Sequence, residues 1–239
     1  MIHGMCLPVI FFILFLFVSC SQGDAAVLNR MGYEADGPGF LEAVSNGDSE
    51  AVGIFLKMPQ LINFADRTGR NAVMLASGKK DSVILKKLID SGANLKIMDN
   101  SEKTPLHYAA AGNSLENAKI LLENGADANW QDNYGRDAAN TLISFVNEEN
   151  IELFQILIEK SNDLERRDKD KKTLLILAAE RGFANYVNIL VSRGVSPLAK
   201  DYKGKTALDY AAESLEAGKI DAGAFGELED YTQKIKEKL

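Results

Sequence analysis

The stretch TPLHYAAAGNSLENAKILLENGADANWQD, Thr104 to Asp132, decides how the chain is organised. Leu106, Ala109 and Ala110 share one apolar face, and Ala118, Leu121 and Leu122 share another, both at helical spacing. Gly112-Asn113 separates the two faces, and Asn124-Gly125 stands where a helix end needs a left-handed residue. Each copy therefore reads as two short helices and an extended turn. One helical pair encloses no core, so the unit is stable only when stacked on copies of itself. The copies are present. Segments aligned on Thr104 begin at Asn71, Thr104, Asp137, Thr173 and Thr206, at spacings of 33, 33, 36 and 33 residues. A second landmark, Gly92, Gly125 or Gly194, follows three of these starts by 21 residues, and Ser161 takes its place in the longer copy. A period of this length is the mark of a solenoid.

TPLHYAA (Thr104–Ala110) followed by LLENGADAN (Leu121–Asn129) resembles the ankyrin repeat, and the DxxG turns Asp66–Gly69, Asp132–Gly135 and Asp201–Gly204 agree with it. The resemblance implies an all-α fold, an ankyrin-repeat solenoid of stacked helix-turn-helix units with extended turns. About six units cover residues 40–239: an N-terminal cap over 40–66, then 67–99, 100–132, 133–168 and 169–201, and a C-terminal cap over 202–239. The fourth copy departs from the pattern, with Asp137 for the usual Thr and Asn147–Asn150 in place of a Gly turn. A longer, more mobile inter-helix loop is expected there.

The start of the chain is of a different kind. Leu7–Val18 is a run of twelve apolar residues, too short for a membrane-spanning helix of roughly 20 residues but suited to the core of a signal peptide. Residues 1–19 read as an export signal. Phe17-Val18-Ser19-Cys20 resembles the lipobox of bacterial lipoproteins, which implies a lipid-modified Cys20, a membrane contact through that lipid only, and a place in the bacterial cell envelope. Phe17 stands where that family usually has Leu, and no Lys or Arg precedes the run. Cleavage after Ser21 is the alternative, since Ser19 and Ser21 satisfy a small-x-small pattern, and it would release a secreted or periplasmic protein. Residues 20–39, with Gly and Asp and no sustained apolar period, read as the anchor cysteine and a flexible tether.

Composition narrows the chemistry. The chain has 27 basic and 34 acidic side chains, a net charge of −7, which argues against nucleic acid as a partner. Its two cysteines, Cys6 and Cys20, precede the repeats, so the repeats have no thiolate nucleophile, disulfide or Cys-ligated zinc. Only His3 and His107 could supply imidazole. No GxxxxGK[ST], GxSxG or HExxH pattern occurs. No catalytic residue, metal site, cofactor or small-molecule substrate is expected, and the ankyrin resemblance implies that Thr104 and His107 serve structure, the imidazole bonding within and between repeats.

What remains is a surface for an unidentified protein partner. In ankyrin stacks ligands contact the turn tips and first helices, and here Arg70, Lys103, Arg136, Lys172 and Lys205 recur once per repeat at the tips. Such a ribbon would steer an acidic partner, unless the cations are merely solvated. Trp130 and Tyr134 fall where the family is usually polar, and with Tyr108 and Tyr202 they are expected to form an aromatic patch of the kind that dominates interfaces. The alternative for Trp130 is packing onto a neighbouring turn. Two functions stay open: a non-catalytic module that holds and regulates one partner, or a structural or surface-exposed lipoprotein that contacts host molecules without one tight partner.

Overall fold

The computed structural model describes residues 22–238. The segment read as an export signal and Cys20 lie outside the described residues. Two compact units divide the chain: one takes the residues up to Ala76 with Val83–Asn94, the other Ser77–Ser82 with Leu95 onward. The described residues are all-helical, with thirteen α-helices and no strand. No helix among them is long and apolar enough to cross a membrane.

The first unit begins with α1 (Gln22–Met31), α2 (Gly37–Asn46) and α3 (Ser49–Phe55). Asp36 and Asp48 accept hydrogen bonds from the free N–H groups at the starts of α2 and α3, and Gly47, at φ 74°, ends α2 in the left-handed conformation. Residues 22–31 are thus a helix and not part of a flexible tether. Leu28 is fully buried, Tyr33 meets Phe55 edge-on at 6.5 Å, and Asp24 pairs with Lys57 at 2.8 Å. The sequence hides this because one leucine and one tyrosine make no helical period. Their burial depends on α3, which lies beyond a turn and a whole helix. A short 3-10 turn (Pro59–Leu61), α4 (Ala72–Ser77) and α5 (Val83–Asp90) follow.

The second unit contains α6 (Pro105–Ala111), α7 (Leu115–Glu123), α8 (Ala138–Phe145), α9 (Ile151–Glu159), α10 (Leu174–Arg181), α11 (Ala184–Ser192), α12 (Ala207–Glu216) and α13 (Ala222–Lys236). The first helices α6, α8, α10 and α12 pack in series as one layer, and α7, α9, α11 and α13 as a second. Between the layers Leu106, Leu121, Leu142, Phe154, Leu175 and Leu190 are almost completely buried. Close approach needs small residues: a Cβ on Gly112 would sit 2.2 Å from the Gly78 carbonyl oxygen.

A turn projects before each first helix. Its aspartate (Asp99, Asp132, Asp168 or Asp201) donates its backbone N–H to the carbonyl of the residue four positions on, and its Oδ1 accepts that residue's N–H. Successive tips are joined by backbone hydrogen bonds, Asn133 N–H to Ser101, Lys169 N–H to Tyr134 and Tyr202 N–H to Asp170, at 2.9–3.0 Å. The tips therefore form a continuous, braced edge.

The fourth copy takes its three extra residues between its helices, and this loop is pinned. Arg181 donates to the Val146 carbonyl, the Asn150 N–H donates to the Tyr186 hydroxyl at 2.6 Å, and Asn150 Nδ2 donates to Asn113 at 2.7 Å. Glu149 accepts from Asn185 and from the Tyr186 N–H. The last bond explains a local defect, since α11 starts after Phe183, which has no side-chain acceptor. A carboxylate from the preceding repeat caps α11 in its place.

Candidate protein-interaction surface

His107 occupies the third position of α6 and is 1% exposed. Its Nδ1 accepts the Thr104 N–H at 3.2 Å and lies 2.9 Å from the Thr104 hydroxyl. Its Nε2 lies 2.9 Å from the Arg136 carbonyl, which can only accept, so Nε2 carries the proton. The imidazole thus ties its own helix start to the next tip. Burial holds its pKa below the ordinary 6.5, which keeps the ring neutral. The fourth copy solves the same problem differently. Asp137 accepts the Asn140 N–H at 3.0 Å while Asn140 Oδ1 accepts the Asp137 N–H at 3.2 Å, a reciprocal cap. Burial raises the Asp137 pKa, against the pull of the Asn140 bond and of Arg166 at 3.8 Å.

The five tip cations do not form a uniform ribbon. In the first unit Arg70 pairs with Asp66 at 2.8 Å. In the second, Lys172 binds Glu180 at 2.7 Å and Lys205 binds Glu213, each carboxylate standing eight residues further on along the first helix. Both ammonium groups also lie over the ring of Tyr210, at 5.3 and 5.0 Å. Lys103 and Arg136 form no ion pair among the described residues. They rest on rings instead: Lys103 Nζ is 5.2 Å from the Phe145 centroid, and the Arg136 guanidinium 4.7 Å from that of Tyr134. The difference follows from the residue eight positions on, which is Glu180 and Glu213 after the paired lysines but Ala111 and Ser144 after Lys103 and Arg136.

Nor do the four aromatic candidates gather into one patch. Tyr108 donates its hydroxyl to Asp99 at 2.7 Å, and the Trp130 indole N–H donates to the Glu102 carbonyl at 2.9 Å, which draws the ring back onto the preceding tip. Trp130 is left 36% exposed as one wall of a cleft of about 280 Å³ with Leu95, Met98 and Pro105. Tyr134 and Tyr202 stand at tips two repeats apart, with the Asp168 tip between them, exposed by 52% and 60%. Trp130, Tyr134 and Tyr202 make no ring contact with one another among the described residues.

A further exposed ring is Phe145, exposed by 51% at the end of α8. In isolation LISF looks like core. Aligned on the repeat starts, however, position 145 corresponds to Lys79, Gly112, Arg181 and Ser214, a place that the other copies give to small or polar residues. That misfit was the available signal. Among the described residues, no three His, Cys, Asp or Glu side chains are placed to hold a metal ion.

Comparison with known proteins agrees with this architecture. The family model for ankyrin repeats (3 copies) matches residues 40–132 and 142–222. The chain belongs to the ankyrin-repeat family, and its stack is a protein–protein interaction module. Neurogenic locus notch homolog protein 1 of Danio rerio is 38% identical over 131 residues, covering 54% of this chain and 5% of that protein. The Xenopus laevis protein of the same name is 38% identical over 138 residues, 57% of this chain and 5% of its own length. Neurogenic locus notch homolog protein 2 of Homo sapiens is 37% identical over 131 residues, again 5% of its length. The chain thus spans only a small part of these relatives.

Proposed function

We propose that this chain is an exported, lipid-anchored ankyrin-repeat protein of the bacterial cell envelope, which holds one protein partner without catalysing a reaction and so restrains or regulates it. The partner docks on the tips and first helices of the second unit. One observation carries this reading: Tyr134 and Phe145 are large rings left about half exposed on a braced edge, and both are backed by cations. Apolar surface left open on a rigid scaffold is a cost that binding recovers, and rings with adjacent cations are typical anchors of protein interfaces. The export and anchoring part rests on the apolar run ending at Cys20.

Photocrosslinking in cells tests the docking, with a photoreactive phenylalanine analogue at Tyr134 and a control at Lys119 on α7. One dominant adduct at Tyr134 alone supports the module, and equal or no adducts at both positions refute it. Metabolic labelling with an alkyne fatty acid tests the anchor. Label on the wild-type chain that Cys20→Ala abolishes supports it, and an unlabelled wild-type chain points to cleavage and release.

A further inference from the structure

Resting on that reading, we infer that the partner presents an acidic segment, carboxylate side chains alternating with apolar ones, to the Lys103–Phe145 and Arg136–Tyr134 pairs of the third and fourth repeats. Charge is left over at two of the tips. Of the four tip cations in the second unit, Lys172 and Lys205 are answered by Glu180 and Glu213 on their own first helices. At the corresponding places Lys103 and Arg136 are followed by Ala111 and Ser144, and each cation rests on a ring, Phe145 or Tyr134, without an ion pair, Arg136 beside a cleft that Asp168, Asp170 and Glu180 also line. A ring attracts a cation without neutralising it, so both charges stay available to an incoming carboxylate. The two rings supply the apolar half of the contact.

The same pattern limits the segment. Ion pairs lie on the C-terminal side, so an acidic chain gains at Lys103 and Arg136 and is limited by Glu180, which already borders the Arg136 cleft, and by Glu213 further on. A basic segment would find the reverse and be repelled where the rings are. The net charge of −7 sharpens the selection, because an acidic partner is favoured only where the local charge is reversed.

The test uses fluorescein-labelled twelve-residue peptides in which Asp or Glu alternates with Leu or Phe, beside matched peptides with Gln or Lys at the charged places. Anisotropy is read on the chain from residue 22 onward and on the membrane-extracted full chain. The acidic peptides should bind and the Gln and Lys sets should not, and raising salt from about 50 to 300 mM should weaken binding roughly tenfold. Lys103→Glu with Arg136→Glu should weaken it by at least roughly tenfold, and Phe145→Ala should do so at unchanged salt dependence. Lys119→Glu, on the second layer, should have no effect. Unchanged melting curves show that the variants fold; if the double reversal does not fold, Lys103→Gln with Arg136→Gln replaces it with the same expected direction. Equal binding of the Gln set, or indifference to the charge changes, overturns the inference. A partner crosslinked at Tyr134 that still binds the charge-reversed protein overturns it too while leaving the module reading intact. Absence of any Tyr134 adduct strikes the module reading itself.

Discussion

The third and fourth repeats are neighbours built to one plan by different means. In the third, His107 completes the bonding of its own helix start and reaches the Arg136 carbonyl of the next tip, and Tyr108 answers Asp99. In the fourth, Asp137 and Asn140 satisfy each other's backbone without reaching the next tip's carbonyl, and the residue in the place of Tyr108 is Thr141. A threonine is too short to reach the tip aspartate, so Asp132 Oδ2 and Thr141 Oγ1 are buried without a hydrogen-bond partner, and Asn140 Nδ2 is likewise unpartnered. The fourth repeat makes up the difference further out, where its insertion carries Asn150 to Tyr186 and Glu149 to the start of α11. A repeat that loses consensus polar contacts inside can thus be held by its neighbour from outside, because in a linear stack each unit is stabilised mainly through the adjoining ones.

The largest effect should come from cutting that outer support at its apolar base. Phe154 is fully buried and stacks on Tyr186 at 4.1 Å, so Phe154→Ala should cost about 3–5 kcal/mol in denaturant unfolding. A cost below about 1 kcal/mol would mean that the fourth repeat does not lean on its neighbour. Next, His107→Ala should cost about 1–3 kcal/mol at pH 7.5, because it strands the part-buried Arg136 carbonyl and Thr104 N–H, whereas Asn140→Ala should cost less. The two substitutions should also differ in pH dependence. With the folded pKa of His107 below 6.5, the unfolded chain binds more protons between the folded value and 6.5. The histidine's contribution is therefore full above about pH 6.5 and is lost as pH falls through the folded value, so the gap between wild type and His107→Ala should narrow on acidification. The Asn140→Ala gap should not change over that range. A constant His107 gap would show that the imidazole is not held neutral.

Smaller again, Glu149→Ala should cost roughly 0.5–1 kcal/mol by uncapping α11, with amide exchange quickened at Tyr186. Exchange unchanged there would leave the insertion without its capping role. The last prediction runs the other way. Thr141→Val replaces a buried, unpartnered hydroxyl with a methyl and should stabilise by about 0.5–1 kcal/mol. Destabilisation instead would mean that a buried water serves Thr141 and Asp132 together.

The helix pairs were legible because each depends on neighbours within one repeat: Leu106 with Ala109 and Ala110, Ala118 with Leu121 and Leu122, and the glycines that end them. Position 107 was legible for the same reason, since Thr104 and His107 are one helical turn apart. The helix at Gln22–Met31 was not, because Leu28 and Tyr33 show no period and are explained only by α3. Phe145 passed for core because its apolar neighbours Leu142 and Ile143 are core, and only its packing tells it apart.

By itself the sequence determined the repeat period, the helical class of the fold and the positions where cations recur, since all of these are written in spacings along the chain. Tertiary structure alone decided which of those cations are free to act. Lys172 and Lys205 are spent on glutamates two turns along a helix, and Lys103 lies over a ring contributed by the next repeat. The physical reason is that periodicity is a local property of the backbone, while the availability of a charge depends on everything within a few ångströms of it in space.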